Sequence, residues 1–329
     1  MKELEQYIFN PSIPFDEKCI RVFEYQKEHV PVYKRFCEAL GISQVLRHTD
    51  IPLLPIQAFK DAKVVASNVD LRDPLLFQSS GTTAMTRSQH VVANPDIYRF
   101  SILRNFERHY DLSNTVIWAY TPGYNDNPHS SLIWMLKFLI DRDTSGLSRF
   151  LPLSEKLPKD SLDLIVREGK QLMIFGAAFG LIDLAEQFPI SLPETTIIME
   201  TGGMKTHRRE MTRDILHRKL ASSFNLPLEN VHSEYGMTEL LSQAYSTGDK
   251  WFETPLWMSV SIRNPEDPTK EQIPGEEGLI GIIDLANMYS CSFILTGDKG
   301  VADEKNRFQI LGRWNAYNLR GCNFLIDQD

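Results

Sequence analysis

A chain of 329 residues, 42% hydrophobic and 24% charged, has the composition of a globular protein and a length of roughly two ~150-residue domains or one large α/β unit with subdomains. Its formal net charge of −8, with no basic stripe interleaved with aromatics, excludes a general nucleic-acid binder. No run approaches the ~20 apolar residues of a membrane span, no N-terminal stretch has the make-up of a secretory signal, and Cys19, Cys37, Cys291 and Cys322 form no CxxC pair. The expectation is therefore a reduced, cytoplasmic protein without a zinc site or a disulfide framework.

In chain order, residues 1–70 read as a helical N-terminal segment packed on a core. Ile20, Phe23, Tyr25, Val30 and Tyr33 recur at loosely helical spacing, interrupted at Pro31. Tyr33, Phe36, Cys37 and Leu40 then form a second apolar face that Gly41 ends. Pro52 and Pro55 bracket an extended stretch, IPLLPIQAF, expected to wall a core or a pocket.

Residues 71–250 read as the α/β core. The apolar run Pro74–Phe77 leads into a hydroxyl-rich turn, Phe77–Ser88, and Gln89–Ala93 is expected to return as the second arm of a hairpin. Pro95 and Asp96 open a helix with Ile97, Phe100, Leu103, Phe106 and Tyr110 on one side. Strands Thr115–Tyr120, Gln171–Phe175 and Thr195–Glu200 then alternate with helices Ser130–Ile140, Gly176–Phe188 and Thr206–Phe224. Strands apolar along their whole length predict a parallel sheet covered by helices on both faces. The basic cluster His207-Arg208-Arg209 suits a solvated first turn of the last helix.

Residues 251–329 change character. Prolines punctuate short strands at Trp257–Ile262, Leu279–Leu285, Ser292–Thr296 and Arg307–Leu311, which predict a smaller β-rich subdomain of hairpins or a distorted barrel.

Ligands on parallel sheets gather beyond the carboxyl ends of the strands, and the informative polar groups fall at such ends. Ser79, Ser80, Thr82 and Thr83 around Gly81 can turn hydroxyl and backbone N–H donors on a polyanion, although a solvated Ser/Thr loop has the same composition. Gly202, Gly203 and Met204, just after a strand, allow close backbone approach to a flat ligand or make a plain turn. Tyr235, Gly236, Thr238 and Glu239 offer an aromatic face, a glycine, a hydroxyl and a carboxylate, a set that can stack a base, contact a phosphate and hold Mg²⁺. Thr296-Gly297-Asp298 places a carboxylate where ribose hydroxyls could donate to it, and taken alone reads as a hairpin turn.

The order of these pieces, closed by Gly312-Arg313…Arg320-Gly321, resembles the acyl-adenylate-forming superfamily over Ser79–Gly321, about three quarters of the chain. The small size and the closing segment Gly312–Cys322 are most similar to the LuxE-type acyl-protein synthetases. The resemblance implies an α/β fold: the large N-terminal domain of an adenylate-forming enzyme, with helix-covered parallel sheets plus a smaller β-rich subdomain. It also implies that the mobile C-terminal lid domain is absent, because the chain stops eight residues after Gly321.

The resemblance further implies that Ser79, Ser80, Gly81, Thr82 and Thr83 hold the ATP phosphates. Gly202, Gly203 and Met204, with Tyr235 and Gly236, would form the adenine slot. Thr238 would contact the α-phosphate, Glu239 would bind Mg²⁺, and Asp298 with Arg313 would hold the ribose. His129 would stand beside the carboxylate pocket, an ordinary surface histidine being as good a reading. Cys322 would accept the acyl group, a buried structural cysteine being the alternative. Where the phosphate loop of the superfamily continues with Gly, Pro and Lys, this chain has Ala84, Thr86 and Arg87, so Arg87 replaces an ammonium with a guanidinium.

The implied chemistry is activation of a carboxylic, fatty acid as acyl-AMP and its capture by a protein thiol. Attack of a carboxylate on the α-phosphate brings anion to anion, so Mg²⁺ and fixed donors must screen it. Delivery to coenzyme A shares the first step, and a non-catalytic nucleotide-binding subunit is a third possibility. The implied partners are the acid and an acyl-accepting reductase or carrier protein. No GxSxG elbow points to a serine hydrolase.

Overall fold

The computed structural model describes residues 3–79, 87–121, 127–153, 155–202 and 211–314. The chain divides into two compact units, Met1–Asp70 with Leu256–Asp329, and Leu71–Pro255. The first unit opens with α1 (Glu3–Phe9), α2 (Phe15–His29), α3 (Pro31–Ala39), β1 (Leu54–Pro55) and the single turn α4 (Ala58–Asp61). The second contains β2 (Leu75–Gln78), β3 (Gln89–Val92), α5 (Pro95–Phe106), β4 (Thr115–Tyr120), α6 (Ser131–Ile140), β5 (Arg149–Phe150) and α7 (Lys159–Arg167). It continues with β6 (Gln171–Ala177), α8 (Ala178–Gln187), β7 (Ile197–Thr201), α9 (Arg213–Phe224), β8 (Val231–Tyr235) and β9 (Ala244–Ser246). The chain returns to the first unit with β10 (Met258–Arg263), β11 (Glu277–Asp284), β12 (Phe293–Ala302) and β13 (Phe308–Arg313).

In the first unit Pro31 divides two helices as the sequence suggests: Val30 before it is extended, and the proline takes the first position of α3. The inner face of α2 is rotated from the expected stripe, burying Cys19, Val22, Phe23 and Gln26. Gln26 is inside because its hydrogen bonds are met: its amide donates to the carbonyls of Asn287 (3.1 Å) and Met288 (2.9 Å) and accepts from the Ser292 N–H at 3.0 Å. The strands form one five-stranded sheet, with β12 between β11 on one side and β1 and β13 on the other. Thr296-Gly297-Asp298, which alone reads as a hairpin turn, lies inside β12, at the register shift of its ladder with β11 and with Asp298 paired to Arg313 of β13.

The second unit is built on a six-stranded sheet in the order β5-β4-β6-β7-β8-β9, parallel except for antiparallel β9. Val116, Trp118, Tyr120, Leu172, Ile174, Ile198 and Val231 share a core with side chains of α7, α8 and α9. Ile117, Ala119, Met173, Phe175 and Met199 alternate with them and are equally buried, so the opposite face is covered too. That alternation accounts for strands that are apolar throughout. At Gly176 a Cβ would lie 2.8 Å from the Tyr120 carbonyl oxygen, so the missing side chain lets β6 close on β4.

The helix α5 corrects the expected apolar stripe. Its buried residues are Ile97, Tyr98, Ser101, Ile102, Asn105 and Phe106, with two polar groups in the middle of the inner face. Ser101 Oγ is 3.0 Å from Ser242 Oγ, and the Asn105 amide donates to the Gln243 carbonyl at 2.7 Å. The two side chains anchor the segment that follows β8. The helix α9 starts at Arg213 and not at the expected Thr206, because Thr212 is extended and its hydroxyl caps the first turn by accepting from the Ile215 N–H; His207-Arg208-Arg209 lie outside the described residues. No helix among the described residues is long and apolar enough to cross a membrane.

Candidate functional site at the carboxyl ends of the parallel strands

The two arms of the β2–β3 hairpin bracket the hydroxyl-rich turn in register, with Gln78 opposite Gln89. The hairpin is closed at Ser79: its N–H donates to the Ser88 carbonyl, and its Oγ accepts from the Ser88 N–H, both at 3.1 Å. Arg87 is exposed beside this base. Ser80, Gly81, Thr82 and Thr83 lie outside the described residues.

The hairpin is tied to the segments that follow two strands of the parallel sheet. After β4, the Gln78 N–H donates to the His129 carbonyl at 2.9 Å, and His129 Nδ1 donates to the Leu76 carbonyl at 3.1 Å. His129 is exposed and precedes Ser130, whose hydroxyl caps α6 by accepting from the Ile133 N–H. After β8, the buried His90 ring donates from Nδ1 to the Thr238 carbonyl at 2.8 Å.

Tyr235 ends β8 and is buried, its ring centroid 6.0 Å from that of Phe252. Gly236 follows, and a Cβ there would lie 2.4 Å from Glu234 Oε1, so any larger residue must displace that carboxyl. Thr238 is half-buried, and the Glu239 carboxyl is buried in the turn that the Leu240 N–H closes onto the Met237 carbonyl at 3.1 Å. On the neighbouring strand, Gly202 ends β7 at φ +82° with open space where a side chain would be, so the backbone conformation demands the glycine. Gly203 and Met204 lie outside the described residues.

Beneath these ends sit two buried acids that sequence reading passed over. Glu200 accepts from the Ser233 hydroxyl and lies 3.7 Å from Arg213 Nε and 3.3 Å from His217 Nε2. Glu234 accepts from the Thr201 hydroxyl. Burial, reinforced by the charge of Glu200, pushes the Glu234 carboxyl up to about 7 against the pull of the Thr201 hydrogen bond.

In the first unit Asp298 and Arg313 are cross-strand partners in β12 and β13, with Arg313 Nε 3.2 Å from Asp298 Oδ1. Asp298 is buried and Arg313 exposed. The Asp298 N–H donates to Thr296 Oγ1 at 3.0 Å, which fixes the acidic residue in the strand. The next residue, Lys299, is paired with Glu277. Cys19, Cys37 and Cys291 are buried thiols, and burial pushes Cys37 up to about 11. Cys322 lies outside the described residues. A single buried carboxyl at Glu239 suits Mg²⁺, which takes one or two carboxylates beside phosphate oxygens; among the described residues no cluster of three or more His, Cys, Asp or Glu could hold a metal alone.

A family model described as acyl-protein synthetase, LuxE, matches residues 132–329. The chain is 24% identical, over 93% of its own length and 85% of the other's, to a long-chain-fatty-acid–luciferin-component ligase of Vibrio harveyi. Its fold resembles ATP-bound MatB from Rhodopseudomonas palustris at 19% identity and a TM-score of 0.52, covering 72% of this chain and 47% of that one. An ATP-bound RpMatB–BxBclM chimera gives the same identity and coverage with a TM-score of 0.51. The chain thus spans about half the length of these solved structures, and the likeness is one of fold. The shared fold is a mixed α/β one, with parallel strands covered by helices.

Proposed function

This chain belongs to the LuxE family of acyl-protein synthetases, and on that premise we propose that it activates a fatty acid with ATP and passes the acyl group to a protein cysteine. An acid carboxylate oxygen bonds to the α-phosphorus of ATP as pyrophosphate leaves, giving acyl-AMP. A thiolate then bonds to the acyl carbon and AMP departs. The observation that carries this reading is the double attachment of the β2–β3 hairpin, to the segment after β4 and to the Thr238 carbonyl after β8. The base of the hydroxyl-rich turn is thereby tied to the segment that carries a hydroxyl and a buried carboxyl, beyond the carboxyl ends of the strands where ligands of such folds gather.

Ser79 to Thr83 and Arg87 are assigned to the phosphates, Thr238 to the α-phosphate, and Gly202, Gly203, Met204, Tyr235 and Gly236 to the adenine. Glu239 would hold Mg²⁺ together with phosphate oxygens, where the ion would supply charge screening. Asp298 and Arg313, carried by the other unit, are assigned to the ribose, and His129 to the mouth of the acid pocket. Cys322 is the proposed thiol. Its three fellow cysteines are buried, which raises the cost of forming their thiolates and leaves them poor competitors. A reductase or carrier protein would receive the acyl group afterwards.

The test is acid-dependent exchange of pyrophosphate into ATP over fatty acids of increasing length, followed by mass spectrometry of the protein. Exchange with a thiol-linked acyl adduct that disappears in Cys322→Ser is expected. Exchange with transfer to coenzyme A alone would overturn the protein acceptor, and ATP binding without exchange would overturn adenylation itself.

A further inference from the structure

We propose that His90 is a positioning residue for adenylation, setting the Thr238–Glu239 turn against the base of the Ser79–Ser88 loop; this rests on the function proposed above. His90 stands on β3 opposite Phe77, two residues after the Ser79–Ser88 closure. Its side chain is 0% exposed and reaches a carbonyl 148 residues away. A carbonyl held this way fixes the planar peptide between Thr238 and Glu239, and with it the directions in which the Thr238 hydroxyl and the Glu239 carboxyl leave the chain. Downstream, Ser242 and Gln243 are already anchored by Ser101 and Asn105 of α5. Upstream, Gly236 has no side chain to pack. The His90 hydrogen bond therefore joins the turn to the phosphate-loop hairpin, and its loss leaves a half-buried carbonyl without that donor.

The chemistry of the link makes it separable from simple packing. An asparagine amide nitrogen is as many bonds from Cα as the histidine Nδ1, whereas a glutamine nitrogen is one bond further. His90→Asn should keep the hydrogen bond, and His90→Gln and His90→Leu should lose it. With the full chain, kcat and KM for ATP are measured by pyrophosphate exchange at saturating acid. Hydrogen–deuterium exchange is followed without ligands in the peptide spanning residues 236–241.

The Gln and Leu variants are expected to lose about ten- to a hundredfold in kcat/KM for ATP, the scale of a misplaced catalytic group. Their 236–241 peptide should exchange faster while β4 and β6 keep wild-type protection, and His90→Asn should stay within about threefold of wild type. Wild-type behaviour of the Gln variant, equal impairment of Asn and Gln, or deprotection spread over the whole chain would each overturn the proposal. Should the Leu variant not fold, the Asn–Gln pair carries the same decision. A wild-type protein that exchanges no pyrophosphate would sink the function proposed above, while the deuterium measurement still decides whether His90 holds the turn.

Discussion

Glu200 and Glu234 lie on adjacent strands under the same loops, are both buried, and face opposite sides of the sheet. Glu200 points toward α9, where Arg213 Nε is 3.7 Å away and His217 and Ser233 complete a polar cluster. Glu234 points to the other side, accepts the Thr201 hydroxyl, and stands opposite Tyr245 in the register of β8 and β9. One acid is buried beside a cation and the other beside a hydroxyl. The raised titration of Glu234, near 7, is what burial does to a carboxyl with no cation beside it among the described residues. Placement on a strand thus decides which acid faces a cation and which is left to burial.

The sharpest way to break this contrast is to take the cation from Glu200. Arg213→Met should destabilise the protein by about 3–5 kcal/mol in denaturant titration, because it leaves a buried acid without its partner. The same substitution removes the guanidinium donations to Ser233 Oγ and the Lys250 carbonyl. An unchanged denaturation midpoint would mean that Arg213 and Glu200 are not coupled.

The second effect depends on pH. Glu234 binds its proton more tightly folded than unfolded, so its contribution to stability is complete below about 4.5 and is lost as pH rises through about 7. The move from 4.5 to about 7 corresponds to roughly 3 kcal/mol between the two ends of that window. Glu234→Gln should match wild type near pH 5 and exceed it in stability above pH 8. Histidines titrate in the same range, His232 being pulled down to about 4 by burial, so the difference between wild type and variant is the quantity to plot. A difference that does not vary with pH would show that Glu234 titrates normally.

The smallest effect concerns the glycine beside it. Gly236→Ala must push the Glu234 carboxyl off its position, since the new Cβ would lie 2.4 Å from Oε1. A cost of about 1–3 kcal/mol is expected from overpacking of this kind. Much of it should vanish in a Glu234→Ala background, and a cost that persists unchanged there would place the strain in the backbone instead.

The parts of this molecule legible in the sequence are those governed by local pattern. Strand–helix alternation from Thr115 onward, the hairpin around the hydroxyl-rich turn, and the breaks at Pro31 and Gly41 each follow from a few neighbouring residues. What stayed hidden depends on partners far along the chain. Ser101 and Asn105 interrupt the apolar stripe of α5, and their purpose appears only once Ser242 and Gln243 are beside them. Asp298 follows a glycine and taken alone suits a turn, yet its cross-strand pairing with Arg313 places it within β12. His90 stands in the strand Gln89–Val92, with no neighbour to announce the carbonyl that it holds. A buried polar residue at a position that patterning reserves for an apolar one was the signal available in each case.

The rims of the parallel sheet have a consequence for crowded conditions. One rim is β5, only two residues long; the other is β9, whose Tyr245 exchanges both backbone hydrogen bonds with Glu253. Neither offers the long open ladder on which a second polypeptide could dock, so six strands with strongly apolar cores carry little tendency to template fibrils or sheet-to-sheet oligomers while folded.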